Sequence, residues 1–326
     1  MKYGILLIET GVPDNESAEA MRHYADVVLG TNLYADELGF VQSRMFRRIT
    51  IPAKAREWRH YFYGNGSDIV DSYRAHAESL RIKLADRLSS ASRKQGVVVV
   101  GMRCGSPSLD EAAATLRREG CDTIVLLPLY PFRFAPMTIP ALEEARAAIE
   151  RAGEDAWAPR IIEVDSFCRT PGFAQTLASR IKEEWQPRNV SRLLILMPSE
   201  PRPLTHNDVE YEEQIEWLRE RLCRSLKLGA DRVHVAFVCD YDNSSWLGPF
   251  AEKTLMGWVS GVRDIKAICP AFCTADALGS YDAGAHLEEF FKKNVMGKPP
   301  TYNFVEPLND DDKLADILCN VIMKKL

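Results

Sequence analysis

Uninterrupted apolar runs alternate along this chain with stretches whose apolar residues recur every three to four positions. "GVVVVGM" and "TIVLLPL" are the clearest runs. An apolar run without polar alternation suits a strand covered on both faces, the condition of a parallel sheet. Strands are predicted over 3–8, 97–102, 123–129, 160–164, 193–197, 232–239, 265–270 and 302–306. Helical periodicity fills the intervals 17–28, 68–89, 109–119, 139–152, 173–185, 210–227, 250–259, 282–293 and 310–323. Ser108 before "LDEAA" and the acidic run at 310–312 place oxygen acceptors and negative charge at helix starts.

Regular βα alternation predicts an α/β, doubly wound fold. The series repeats, so two Rossmann-like halves with parallel sheets and a cleft between them are expected, one over 1–170 and one over 171–326. In such sheets ligands bind beyond the carboxyl ends of the strands, which directs attention to the loops after Ile8, Met102, Leu129, Met197, Cys239 and Pro270. The first of these, "IETGVPDN", has one glycine where a dinucleotide fingerprint needs three. No nucleotide cofactor is expected.

Composition narrows the class. With 46% hydrophobic and 27% charged residues the chain can bury a sizeable core. A net charge of −5 gives no electrostatic footprint for nucleic acid. No stretch reaches the roughly 18 apolar residues that a membrane span needs, and the start "MKYGILLIETG" turns acidic too soon for a signal peptide. A cytoplasmic protein is expected, with peripheral membrane contact left open. The eight cysteines form no C-x-x-C pair and read as reduced thiols; Cys269 and Cys273 are the nearest pair, with Pro270 between them.

In this order the segments "GILLIETGVPD", "GMRCGSPSLDEA", "IVLLPLYPFRFAPMT", "SSWLGPFAEKTL" and "VEPLND" resemble the ferrochelatase family, the enzymes that insert ferrous iron into a porphyrin to make haem. The likeness is collinear over nearly the whole chain. It implies a porphyrin cleft between two doubly wound halves, with the 30–66 neighbourhood forming one lip. It also implies a catalytic histidine after the strand "RLLILM", in a Ser-Phe-His-Gly-Leu-Pro motif, and a glutamate in a Leu-Glu-Thr-Leu-Glu-Glu motif. In this sequence those positions fall on Pro198 and Leu278. The family's Tyr-Ser-x-Ser-Thr-Thr run becomes Arg133-Phe134-Ala135-Pro136-Met137-Thr138.

Metal insertion needs bases for two pyrrole protons and a ligand that loads and releases the ion. Neither Pro198 nor Leu278 can serve. Glu200, His206, Cys273 and Asp276 are the nearby substitutes, each of which also has a plain structural reading as a turn, cap or core residue. By the resemblance, a cleft would be lined by Thr10, Arg44, Arg47, Tyr61, Cys104, Tyr130, Met137, Thr138, Met197 and Ser199. Methionine and cysteine are soft donors suited to haem iron, and the basic stretch 44–63 would suit propionates or form a surface helix with its aromatics inward. The leading expectation is a tetrapyrrole-binding protein of haem metabolism that has lost the standard metal-insertion residues and acts as a carrier or accessory protein. An active ferrochelatase or dechelatase handling Fe2+ with substitute ligands is the second reading, and a scaffold subunit for an active paralogue the third. No resident cofactor is expected, with haem or porphyrin as ligand and a protein partner in haem handling.

Overall fold

The computed structural model describes residues 2–29, 44–64, 66–91, 96–153, 157–200, 209–238, 246–259 and 261–326 of the chain. Its elements run β1 (Tyr3–Gly11), α1 (Ala18–Leu29), a π-helical turn (Phe46–Thr50), α2 (Ile51–Tyr63), α3 (Ile69–Ala91), β2 (Gly96–Cys104), α4 (Leu109–Arg118), β3 (Thr123–Pro128), α5 (Ala135–Ala152) and β4 (Arg160–Glu163). They continue with α6 (Phe173–Glu184), β5 (Ser191–Pro198), α7 (Glu210–Leu226), β6 (Val233–Val238), α8 (Ala251–Gly257), β7 (Asp264–Ile268), a π-helical segment (Ala277–His286), α9 (Leu287–Asn294), β8 (Thr301–Val305) and α10 (Asp312–Lys325).

The strands make two parallel sheets of four, ordered β2-β1-β3-β4 and β6-β5-β7-β8. The repeated series read from the sequence is thus a repeated topology: in each sheet the first strand lies second and the chain winds outward to both sides. Every residue of β1 is buried, and β5 is buried throughout except for half-exposed Arg192. Among the described residues no helix is long and apolar enough to cross a membrane.

The first compact unit comprises Met1–Phe167 with Leu308–Leu326, and the second comprises Cys168–Pro307. This differs from a simple division into 1–170 and 171–326, because the last helix belongs to the first unit. Its return is fixed by charge as well as packing. Arg87 on α3 donates to Asp312 and Asp316 of α10. Just before α10, Ser79 and Lys83 donate to the Asp310 carboxylate, with His76 Nδ1 2.7 Å from Oδ1. Burial alone would raise the Asp310 pKa, but these bonds outweigh it and hold the carboxyl well below the usual range.

Local signals behave as expected at two helix starts. Ser108 and Glu111 form a reciprocal capping box on α4, and Asp311 accepts from the Lys313 N–H at α10. Elsewhere the boundaries move. α5 begins at Ala135 rather than 139, because Pro136 in the first turn costs no hydrogen bond there. The predicted helix 282–293 starts as a wide π-helical segment at Ala277 and becomes regular only from Leu287.

The backbone at the end of β1 has one narrow tolerance. Gly11 has φ +84, and a Cβ there would sit 1.9 Å from the Cys104 carbonyl oxygen and 2.8 Å from Met102 Cβ. Gly66 has φ +74 with nothing within 4 Å of an added Cβ. Gly11→Ala is expected to cost about 3 kcal/mol or more, since it adds a clash to the positive-φ penalty, and Gly66→Ala roughly 1 kcal/mol from the penalty alone. Urea midpoints of the two variants beside wild type check the difference; equal shifts would mean that β1 and β2 can separate freely at this point.

Candidate functional site

Parallel strands deliver their following loops to one edge of each sheet, so the residues there are set by strand order. In the first unit β1 and β3 are neighbours, and the hydroxyls of Thr10 and Tyr130 share a hydrogen bond of 2.9 Å. The Gly11 N–H donates to Tyr73 Oη at 3.2 Å. Cys104, at the end of β2, is buried, and its thiol is pushed up to about 12 chiefly by desolvation. Such a thiol stays protonated near neutral pH and is a poor anionic ligand.

Arg103 organises the next layer. Its guanidinium donates through Nε and Nη2 to the two Glu144 oxygens at 2.8 and 2.7 Å. Nη1 lies 3.9 Å from Met137 Sδ. Burial works against the Arg103 charge, yet the Glu144 bonds outweigh it and keep the group ionised. Thr138 donates to the Phe132 carbonyl at 3.3 Å, so the one hydroxyl kept from the expected polar run is engaged with backbone. Sequence reasoning passed over Arg103, Glu144 and buried Glu9. The signal for Glu9 was a carboxylate inside the apolar run "GILLIET".

The basic stretch forms a helix with two of its aromatics turned inward. Trp58 and Phe62 are buried on α2, and both meet Tyr24 of α1 edge-on at 5.9 and 5.0 Å between centroids. Tyr61 is half-buried, whereas Arg44 and Arg47 are exposed. Of the expected lip over 30–66, residues 30–43 and 65 lie outside the described residues.

In the second unit β5 is flanked by β6 and β7, so the loops carrying Pro198 and Leu278 leave adjacent strands. Pro198 closes β5, and its carbonyl accepts from Tyr211 Oη at 2.9 Å. Ser199 is spent on backbone: its N–H donates to Val238 and its hydroxyl to the Leu247 carbonyl at 2.8 Å. Glu200 is buried, and its carbonyl accepts from the Leu247 N–H. Met197 is buried in the strand. His206 lies outside the described residues, as do Cys239 and Asp240.

The β7 loop reaches Asp276, whose Oδ1 accepts from the Gly279 N–H and caps the π-helical segment. Its Oδ2 is buried with no hydrogen-bond partner among the described residues, and so is Ser280 Oγ. Desolvation, with added repulsion from Asp282, pushes the Asp276 carboxyl up to about 7. Cys269 is pushed up further by burial and by Asp276. Cys273 and Leu278 are buried. A Cβ at Gly279 would lie 2.6 Å from the Phe272 ring, so a side chain at that position needs Phe272 to shift. Among the described residues no group of three His, Cys, Asp or Glu side chains is placed to hold a metal ion.

The Asp276 geometry sets a pH dependence. Its folded pKa lies above the unfolded value, so the native state binds the extra proton between about pH 4 and 7, and stability falls as pH rises through that window. Asp276→Asn keeps an oxygen for the Gly279 N–H and removes the ionisation. The variant's advantage over wild type should grow between pH 5 and pH 8, by roughly 1 to 3 kcal/mol. Urea unfolding at the two pH values checks this, with Asp276→Ala, which loses the cap, weakened at both.

Three comparisons place the chain among known proteins. A family model described as ferrochelatase matches residues 2–326. Similar curated proteins include the ferrochelatase of Pectobacterium atrosepticum, 24% identical over 333 residues with 99% of this chain and 98% of that protein covered. Ferrochelatase 2 of Shewanella oneidensis is 27% identical over 335 residues, covering 98% and 97%. Among solved structures, SirB from Bacillus subtilis with Fe3+ superposes with a TM-score of 0.56 at 10% identity, covering 100% of this chain and 96% of that one. At that identity the superposition speaks for the fold alone, two parallel four-stranded sheets with flanking helices. The family match spans the chain from its second residue to its last, and the chain belongs to the ferrochelatase family.

Proposed function

We propose that this protein binds a tetrapyrrole, porphyrin or haem, without exchanging its metal, and serves haem metabolism as a carrier or accessory protein. The observation that carries the reading is the loop after β5. At the position where the family resemblance implies histidine stands Pro198, and the adjoining Ser199 hydroxyl and Pro198 carbonyl are both taken up by local hydrogen bonds. In its described part, residues 198–200, the loop offers no ring nitrogen to accept a pyrrole proton or load ferrous iron. Buried thiols held protonated at Cys104 and Cys269 add no anionic ligand.

A second reading rests on Asp276. Its buried, unpartnered Oδ2 and near-neutral pKa are the properties of a proton acceptor that can load and unload at physiological pH. On that reading the protein inserts iron into a porphyrin or removes it, with Asp276 taking or returning one pyrrole proton.

Anaerobic titration of the protein with haem and with metal-free protoporphyrin, with and without ferrous iron, separates the two. The carrier reading expects a saturable, stoichiometric Soret shift and no metalloporphyrin beyond one equivalent. Multiple turnover, lost at least tenfold in Asp276→Asn, would replace it with the second reading. Absence of both binding and turnover would sink each of them.

A further inference from the structure

The loops of Pro198 and Asp276 leave the carboxyl ends of the second sheet; its amino end carries a concentration of charge that the readings above do not use. β6, β5 and β7 lie side by side, so the connections that feed them meet at one edge. Hydrogen bonds tie them together. The Arg263 N–H donates to the Val190 carbonyl at 3.0 Å, and the Arg232 guanidinium donates to the carbonyls of Ser191 and Arg188. These connections hold Arg188, Lys227, Arg232 and Arg263, with Arg192 at the second position of β5.

Two acids, Asp231 and Asp264, stand among the five cations, a local balance of +3 in a chain whose net charge is −5. Asp264 already accepts from Trp185 Nε1 and Thr301 Oγ1. Among the described residues none of the five cations has a carboxylate within ion-pair distance. Backbone holds them instead. Arg192 Nη1 and Arg232 Nε both donate to the Ser191 carbonyl, at 3.1 and 3.3 Å, so two like charges share one acceptor. A carbonyl orients a guanidinium without neutralising it, and the remaining N–H groups point to no acid of this chain. Beside them Val190 is 39% exposed. Half-exposed Trp258 meets the His234 ring edge-on at 4.7 Å, and His234 Nε2 lies 2.8 Å from the Asp231 carbonyl oxygen.

We propose that this edge is a docking surface for an acidic partner protein. Charge complementarity selects the occupant: oriented guanidiniums without acids of their own match carboxylates, and arginine and tryptophan are the side chains that dominate protein interfaces. A nucleic acid would carry its phosphates beyond the patch over a chain of net negative charge. Exposed charge of this kind speeds encounter more than it tightens the complex, so the contact is transient. It also lies at the end of the unit opposite Pro198 and Asp276, and a docked partner leaves those loops uncovered. Docking here stands apart from the tetrapyrrole reading, because its test uses the protein without ligand.

Fluorescence anisotropy of a labelled peptide of about ten glutamates, titrated with the full chain in about 50 mM salt, tests it. Saturable binding is expected, with a glutamine peptide of the same length bound at least tenfold more weakly and binding abolished near 0.5 M salt. Arg188→Gln/Arg263→Gln, whose side chains bridge to no other segment, should weaken binding at least fivefold with unchanged circular dichroism. Arg221→Gln/Arg224→Gln removes the same charge from α7 and should stay within twofold of wild type. Absence of binding, or an equal loss in the two variants, would overturn the proposal. Tighter binding of a labelled ten-nucleotide DNA strand would replace the acidic protein with nucleic acid. Sedimentation velocity showing a dimer that the Arg188/Arg263 variant loses would replace it with a second copy of this chain.

Discussion

Burial of the inner strands on both faces is the constraint on which the rest of this molecule depends. A strand such as β1, with all of its residues inside, has no solvent to satisfy its backbone once pairing ends. Its carboxyl end must therefore turn at once and find partners close by. Gly11 does so through a positive φ and the Tyr73 hydroxyl, and Val12 through the Cys104 carbonyl. β5 meets the same demand differently: Pro198 has no N–H to satisfy, Ser199 bonds to Val238 and Leu247, and Tyr211 covers the Pro198 carbonyl.

These solutions decide what chemistry remains. A hydroxyl whose proton closes a turn cannot donate it elsewhere without opening that turn, so the Ser199 and Thr138 protons serve the fold first. Arg103 is likewise committed: its buried guanidinium keeps its charge through its bonds to half-exposed Glu144. Asp276 is different. One oxygen caps the π-helical segment, and the other is left over in a place water does not reach. The raised pKa follows because the backbone bonds from Gly279 and Leu278 do not repay the desolvation of a full charge while Asp282 lies near.

Much of the architecture was legible in the sequence because its cause is local to each run. All eight predicted strands are present within a few residues, and the repeated strand order follows from the repeated βα series. The α4 cap at Ser108 needed only three neighbouring residues to be read. What could not be read depends on partners far along the chain. α10 joins the first unit through Arg87, over 220 residues earlier in sequence, and no local pattern announces that pairing. The inward turn of Trp58 and Phe62 required Tyr24. At the site, Pro198 and Leu278 were visible as residues without proton chemistry, whereas the leftover oxygen of Asp276 was not, since it exists only because the capping geometry uses the other one.

The same packing also limits what a substitution could restore. Phe272 lies where a side chain at position 279 would grow, and Leu278 is itself buried, so a carboxylate introduced at either place would need its neighbours to yield first. On β5 a histidine at 198 would bring back a backbone N–H at the last position of the strand, and that donor would need a partner of its own. Neither change is independent of its surroundings. The two loops are thus coupled to the core beneath them, and Asp276 near β7 is a buried carboxylate whose position the fold already requires.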